Sequence, residues 1–306
     1  MIGAALAALA AATAGVRVLY PVVVERRAAR RRRLGRDGII EGAATIELPR
    51  KGAPALLLLH GGGDTPQVMS GLASFLHDRG YAVRAPLLDA HGRALRALTG
   101  ASATTWRESV ATHYADLRRD HEWVGVVGLS MGGALAARLA ADLGDDLPAL
   151  VLLAPYVDMP AAVQRLARTS DWWRWLLPYF PTGGQRSVHD PAAAARGLSH
   201  GIMTPAALRA LYETMTAGRD ALPRVQSPTL MMQSREDNRI AASSAERAFA
   251  ALGASEKELV WVEGAGHVIT VDFGHERVFE LVADWLDARR AISPGERGRR
   301  SSRRSP

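Results

Sequence analysis

The chain has 306 residues, of which 48% are hydrophobic and 23% charged, so it can form one large α/β domain or two ordinary ones. It has no cysteine, which excludes disulfides, thiolate metal sites and cysteine-based catalysis. The net charge of +7 comes from the two ends of the chain, because seven arginines lie in residues 26–36 and five in residues 297–304. No aromatic residue is interleaved with these arginines, and we therefore expect no nucleic-acid partner.

The first 24 residues carry a single charge, Arg17, and an arginine run follows them. An apolar helix of about 20 residues spans a bilayer, and arginines mark its cytoplasmic end. We therefore predict a membrane anchor in residues 1–24 and an Arg-rich linker in residues 25–40, with the folded domain membrane-associated and facing the cytoplasm. A cleaved signal peptide and a soluble or peripheral helix are the alternatives, and the last fits a cytoplasmic protein. The chain from Asp37 onward is expected to fold and act without the residues before it.

From residue 44 onward, strand and helix patterns alternate. Apolar runs predict strands within residues 44–48, 53–64, 81–88, 123–129, 148–155, 227–234 and 257–264. Helical spacing predicts helices over residues 66–79, 104–121, from Met131 onward, 241–252 and 275–290. The second of these helices is expected to begin with a cap at Thr105. The alternation predicts an α/β fold with a mostly parallel, twisted sheet and helices on both faces.

Two stretches break this alternation. Residues 157–222 contain prolines, short helical pieces and the cluster DWWRWLLPYFP, and they are too long for a simple connection. We predict that they form a helical cap inserted into a domain of residues 41–290. Residues 291–306 are rich in arginine and serine and are predicted to be a basic disordered tail.

Ser130 lies between a predicted buried strand and a predicted helix, in the sequence Gly128-Leu-Ser-Met-Gly132. A serine hydroxyl is a strong nucleophile only when it is exposed to substrate and held next to a base. A sharp strand–turn–helix connection achieves this, and it needs glycine two residues before and after the serine because those positions crowd together. We therefore predict Ser130 as a nucleophile, with Gly128 and Gly132 as the elbow glycines.

Two later loops offer a base and an acid for this serine. His267 follows the last predicted strand, and Asp237 lies just past the end of the strand before it, with Glu236 as a competitor. The order Ser130, Asp237, His267 is the chain order expected when a triad is built around a nucleophile elbow. We therefore predict a Ser-Asp-His triad.

The oxyanion hole of such a site needs two backbone N–H groups. Met131, directly after the serine, is expected to supply one, and Gly62 in the sequence HGGGD the other. His60 is predicted to be structural. The apolar cluster of the cap is expected either to line a substrate pocket or to pack within the cap, and its candidate pocket residues are Trp172, Trp173 and Trp175. We expect neither a metal ion nor an organic cofactor.

Over residues 44–290 the chain resembles the α/β-hydrolase fold, and more narrowly the bacterial carboxylesterases and monoacylglycerol lipases. The matching segments are LLLLHGGGDTPQVM (56–69), GYAVRAPLLDAHG (80–92), GLSMGG (128–133), PTLMMQSRED (228–237) and GHVITVD (266–272). The resemblance implies a serine hydrolase that cleaves small acyl esters through an acyl-enzyme on Ser130, with a membrane surface as a possible partner. A thioesterase, amidase or peptidase with the same triad is the alternative, and a non-catalytic membrane-tethered interaction module is a second one.

Overall fold

The structure, a computed structural model, describes residues 2–182 and 187–290. Its strands are β1 (Ile46–Leu48), β2 (Ala55–Leu59), β3 (Ala82–Ala85), β4 (Val124–Leu129), β5 (Leu150–Leu153), β6 (Phe180–Pro181), β7 (Ile202–Met203), β8 (Thr229–Ser234) and β9 (Lys257–Val262). Seven of them form one sheet in the order β1-β3-β2-β4-β5-β8-β9. Only β1 runs antiparallel to its neighbour in this sheet, so the predicted mostly parallel sheet is confirmed.

The helices of the described chain surround this sheet. They are α1 (Ile2–Arg31), α2 (Ser70–Asp78), α3 (Ala103–Asp120), α4 (Met131–Leu143), α5 (Ala161–Arg168), α6 (Ser170–Trp173), α7 (Pro191–Arg196), α8 (Pro205–Ala221), α9 (Ala242–Ala251) and α10 (His275–Arg290). One core layer contains side chains of α2 and α10, and the other contains side chains of α3, α4, α8 and α9. In β2, Leu56 and Leu58 belong to the first layer and Leu57 and Leu59 to the second, which explains the unbroken leucine run.

The parallel strands bring three loops to one edge of the sheet. Ser130 directly follows β4, Asp237 lies three residues after β8, and His267 lies in the loop between β9 and α10. Because β4, β5, β8 and β9 are neighbours and all run in the same direction, their carboxyl ends meet at that edge. The fold therefore gathers residues that are up to 137 positions apart in sequence.

The segment between β5 and β8 lies outside the main sheet. It contains α5 to α8 and the short antiparallel pair β6–β7. Helix α8 packs closely on α4, since a Cβ atom added to Gly218 would lie 2.7 Å from the Cβ of Ala134. This segment corresponds to the stretch that the sequence predicts as an inserted cap.

The second half of α1 packs on this cap. The hydroxyl of Tyr20 donates to the carbonyl oxygen of Tyr179 at 2.7 Å, and the hydroxyl of Tyr179 donates to Glu25 Oε1 at 2.5 Å. Just after the helix, Arg32 donates to two carbonyl groups in the loop that follows α7. Residues 25–31, which the sequence predicts as part of a linker, are therefore helical, and Glu25 and Arg32 hold the end of this helix against the cap.

Three further predictions from the sequence concern the two ends of the chain and the start of α3. No helix within residues 2–182 and 187–290 is both long and apolar enough to cross a membrane, contrary to the anchor expected in residues 1–24. Helix α3 begins two residues before Thr105, and its N-cap is Ser102, whose Oγ accepts from the Thr105 amide. The predicted tail, residues 291–306, lies outside the described residues.

Candidate active site

Ser130 occupies a sharp turn between β4 and α4. Its backbone has φ 55° and ψ −117°, a conformation that a residue with a side chain rarely adopts. The turn is held by two hydrogen bonds, from the Ser130 amide to the Leu153 carbonyl and from the Tyr156 amide to the Ser130 carbonyl, both 2.9 Å. The neighbouring strand β5 and the loop after it therefore hold the serine in its strained conformation.

The two glycines around Ser130 leave no space for a side chain. A Cβ atom on Gly128 would lie 2.3 Å from the carbonyl oxygen of Gly132. A Cβ atom on Gly132 would lie 2.3 Å from the carbonyl oxygen of Leu59 in β2. The backbone of the elbow thus contacts both itself and the neighbouring strand, which is the crowding that the Gly-x-Ser-x-Gly spacing predicts.

Ser130, His267 and Asp237 form a continuous hydrogen-bonded chain. His267 Nε2 lies 2.8 Å from Ser130 Oγ, and His267 Nδ1 lies 2.7 Å from Asp237 Oδ2. Burial acts to raise the pKa of Asp237, but its hydrogen bonds to His267 and to the amides of Ile240 and Arg239 outweigh it, so the pKa is lowered. The buried carboxylate therefore stays ionised and can orient the imidazole.

Glu236, the competing acid, lies elsewhere. Its side chain is 53% exposed, and its Oε1 accepts from the amide of Gly264 at 3.0 Å. Gln233, in β8, donates to Asp237 Oδ2 at 2.7 Å and was not singled out from the sequence. The structure thus brings Asp237 to His267 and leaves Glu236 at the surface.

A buried carboxylate, Asp272, supports the loop that carries His267. Its Oδ2 accepts from the amide of Gly266 at 2.6 Å and from the amide of His189 at 2.8 Å, and its Oδ1 accepts from the amide of Asp190 at 2.8 Å. Two of these donors belong to the cap, so one side chain ties the cap to the loop before His267. Sequence reasoning missed Asp272, because nothing in its neighbours indicates that a backbone cluster surrounds it.

The loop after β2 lies next to Ser130. Leu88 donates its amide hydrogen to His60 Nε2 at 3.1 Å, so His60 Nδ1 carries the proton and donates to the Gly61 carbonyl at 2.8 Å. Complete burial, aided by the nearby His91, lowers the pKa of His60 to about 3, so its ring is neutral. His60 is a structural residue that holds the backbone next to Gly62.

A narrow apolar cavity opens between this loop and the start of α4. Its lining residues are Gly62, Gly63, His91, Leu98, Trp106, Met131, Ile202, Met203, Ala207 and Leu211. None of the tryptophans expected in a pocket is among them. Trp172 and Trp175 are 86% and 61% exposed, and Trp173 packs against Phe180 within the cap. The aromatic residue of the cavity is instead Trp106, whose indole donates to the Asp89 carbonyl at 2.9 Å.

Across residues 2–182 and 187–290, no group of three or more histidine, aspartate or glutamate side chains is arranged to hold a metal ion. The expectation that the protein needs no cofactor stays a prediction.

Comparison with known proteins gives consistent matches. Residues 51–273 match the family model Hydrolase_4, described as serine aminopeptidase, S33. The chain is 28% identical over 239 residues to a carboxylesterase of Bacillus subtilis (strain 168), covering 77% of this chain and 93% of that protein. It is 28% identical over 229 residues to a thermostable monoacylglycerol lipase of Bacillus sp. (strain H-257), covering 75% and 88%.

Two solved structures of lipolytic enzymes have a similar fold. A structure from work on LipS and LipT, two metagenome-derived lipolytic enzymes, matches with a TM-score of 0.73 and 25% identity over 81% of this chain and 98% of that one. The monoacylglycerol lipase of Paleococcus ferrophilus matches with a TM-score of 0.67 and 19% identity over 80% and 98%, an identity at which only the fold is shared.

Proposed function

The chain belongs to the Hydrolase_4 family and is an ester-hydrolysing serine hydrolase, and from this premise we propose that Ser130, His267 and Asp237 form its catalytic triad. The observation that carries the proposal is the pair of hydrogen bonds that links Ser130 Oγ to His267 and His267 to Asp237. The strained backbone of Ser130 supports it further, because such strain is common at nucleophiles and is otherwise unfavourable.

The reaction proceeds in two acyl transfers. His267 Nε2 takes the proton from Ser130 Oγ as the oxygen attacks the ester carbonyl carbon. Asp237 holds the proton of Nδ1 and stabilises the imidazolium that forms. The alcohol leaves with the proton from His267, and water activated by the same imidazole then hydrolyses the acyl-enzyme. In each of the two acyl transfers His267 first accepts a proton and then donates it.

We propose Gly62 and Met131 as the oxyanion hole. Both residues line the same cavity next to Ser130, and Met131 is the first residue of α4. Within the described residues, neither amide donates a hydrogen bond to another backbone group of a turn or loop. Free N–H groups at a helix N-terminus favour negative charge, and one such donor typically contributes about 3 kcal/mol to the transition state.

The acyl group of the substrate is expected to be apolar. The cavity beside Gly62 is walled by Leu98, Trp106, Met203 and Leu211, which offer hydrocarbon and aromatic surface. The similar carboxylesterase and monoacylglycerol lipase support carboxylic esters as the substrate class. No cofactor takes part in this mechanism.

Probe labelling and a substrate panel test the proposal. A fluorophosphonate probe should label the wild-type chain on Ser130 and leave Ser130→Ala unlabelled. Turnover of p-nitrophenyl esters of increasing chain length then measures how long an apolar acyl group the site accepts. Parallel assays with an acyl thioester and an aminoacyl amide separate the thioesterase and amidase alternatives. A folded wild-type protein that the probe does not label would support a non-catalytic module instead.

We also propose that the cap contacts a lipid surface peripherally. Its residues Trp172, Trp175, Leu176 and Leu177 are exposed and apolar. Tryptophan is enriched at membrane–water interfaces, where its ring contacts apolar groups and its N–H reaches water. Vesicles of anionic phospholipid should therefore bind the wild-type chain more tightly than the Trp172→Ser/Trp175→Ser variant. Equal binding of the two proteins would show that the cap does not contact the lipid surface.

A further inference from the structure

Gln233 places a buried amide at the end of β8, a strand that is otherwise mostly apolar. The strand reads TLMMQS, and the glutamine in it is completely buried. Its Nε2 donates to Asp237 Oδ2 at 2.7 Å and lies 3.4 Å from the Ser234 carbonyl oxygen, a much weaker contact. Among the described residues, no group donates to its Oε1. Burying an acceptor without a donor is unfavourable, so the stability of the core does not explain a glutamine at this position.

The carboxylate of Asp237 fixes which way the Gln233 amide faces. If the amide were reversed, its oxygen would lie against Asp237 Oδ2, and two acceptors in hydrogen-bond contact repel each other. The Nε2 donor therefore faces the carboxylate. A hydrogen bond to a charged group is stronger than one between neutral groups, which is why this bond is made while Oε1 stays unpaired.

Gln233 and His267 share one oxygen of Asp237. Oδ2 accepts from Gln233 Nε2 and is the partner of His267 Nδ1, each at 2.7 Å. Oδ1 accepts from the amides of Arg239 at 2.7 Å and Ile240 at 3.0 Å. The two amides hold Oδ1 on the loop, and Gln233, which belongs to an interior strand of the sheet, fixes the rotation of the carboxylate. Oδ2 is therefore held toward the imidazole.

The bond from Gln233 also changes how the charge of Asp237 acts. The positive end of the Gln233 N–H dipole lies at Oδ2, the oxygen that faces the imidazole. A donor at this oxygen stabilises the carboxylate. The carboxylate therefore attracts a proton onto His267 less strongly than it would with His267 as its only side-chain partner.

We propose that Gln233 is a positioning residue of the triad, which holds Asp237 Oδ2 toward His267 and limits how strongly this carboxylate draws a proton onto the imidazole. With the donor in place, His267 stays unprotonated, and so able to act as a base, in more acidic solution. Gln233 does not line the apolar cavity, so it acts on turnover and not on substrate binding. The inference rests on the proposed function, since Gln233 acts through the Asp237–His267 pair.

The pH profile of Gln233→Met tests this inference, because methionine is similar in length and has no donor. With a p-nitrophenyl ester, kcat should fall several-fold while KM stays within about twofold. The acidic limb of kcat/KM should move to higher pH by about 0.5 unit or more, since the carboxylate then holds a proton on His267 more strongly. A merely structural role would lower activity without moving this limb. An unmoved limb in folded Gln233→Met overturns the inference.

The surroundings of the pair are the same in both proteins. The charged or titratable groups that interact with Asp237 or His267 include Asp64, Arg239 and Tyr156, and Gln233→Met changes none of them. Gln226→Met is the control, because it makes the same substitution at an exposed glutamine. It should leave both kcat and the acidic limb unchanged.

Gln233→Glu keeps the shape of the side chain and provides a second variant if methionine does not fit. Two carboxyl groups in contact do not both ionise readily, so the introduced group and Asp237 keep one shared proton in neutral solution. This proton replaces the lost donor, and the variant should retain much of its activity near neutral pH. Activity should then fall in alkaline solution, as the shared proton leaves. A profile equal to that of the wild type throughout the alkaline range overturns the inference.

A double-mutant cycle separates this inference from the proposed function. Because Gln233 acts through Asp237, Gln233→Met should have little further effect on kcat when Asp237 is already replaced by asparagine. The same fold-loss in both backgrounds overturns the inference. Ester turnover that survives Ser130→Ala, or a folded wild-type chain that the fluorophosphonate probe does not label, would instead overturn the proposed function.

Discussion

Replacing Asp272 by asparagine tests whether one buried carboxylate holds the cap to the loop that carries His267. The two carboxylate oxygens accept from four backbone N–H groups at 2.6–2.9 Å, those of Gly266, His189, Asp190 and Phe273. In asparagine one oxygen becomes an NH₂ group that faces two of these donors, so two charge-assisted bonds are lost. At about 1.5–3 kcal/mol for each bond, Asp272→Asn should lose about 3–6 kcal/mol of unfolding free energy.

Urea unfolding at several pH values measures this loss. Burial acts to raise the pKa of Asp272, but the four amide donors outweigh it and hold the pKa below its usual value. The stabilisation by this carboxylate is therefore present above the unfolded pKa of about 4, and it is lost as the pH falls through the lower folded value. The difference between wild type and Asp272→Asn should accordingly be largest near pH 7 and shrink toward pH 3.

A surface carboxylate provides the control for this experiment. Asp142 pairs with Arg138 one helical turn away and is 46% exposed, so Asp142→Asn should change stability by less than about 0.5 kcal/mol. A loss below about 1 kcal/mol in Asp272→Asn, or a loss that does not depend on pH, would refute the reasoning. The four bonds would then be replaced by water or by small shifts of the loop.

Three other outcomes can be measured on the same protein. Ser130→Ala should lower kcat for a p-nitrophenyl ester by about 10⁴-fold or more while its circular dichroism stays unchanged, and substantial turnover by a purified, folded variant would reassign the nucleophile. Asp237→Asn should lower kcat/KM more than Glu236→Gln, because only Asp237 contacts His267; the reverse ranking would move the orienting acid to Glu236. Deletion of residues 1–36, which the sequence alone suggested would leave activity intact, should instead lower the melting temperature and weaken ester turnover, since the N-terminal segment packs on the cap through Tyr20 and Arg32; a truncated protein equal to the full chain in both assays would assign these contacts no role.

The sheet and the elbow are predictable because their causes are local. An unbroken apolar run such as that of β2 indicates a strand buried on both faces. The glycine spacing around Ser130 encodes crowding within five consecutive residues, and the structure shows that crowding at Gly128. The positions of Asp237 and His267 after consecutive parallel strands then follow from the order of elements along the chain.

What the sequence could not predict depends on contacts between distant segments. Asp272 is an ordinary acid until the cap and the loop before His267 surround it. Helix α1 looks like an isolated apolar segment because its partners, such as Tyr179, lie about 150 residues away in the chain. The tryptophans of the cap suggest a pocket by composition alone, but their exposure depends on how the cap folds.

The close packing of α8 on α4 fixes one wall of the cavity beside Ser130. Gly218 leaves no space between α8 and Ala134 of α4, and α4 begins directly after Ser130. Leu211, which α8 contributes to the cavity wall beside Gly62, is therefore held in place relative to Ser130. A side chain larger than glycine at position 218 would push α8 and Leu211 away from α4 and so change the width of the cavity.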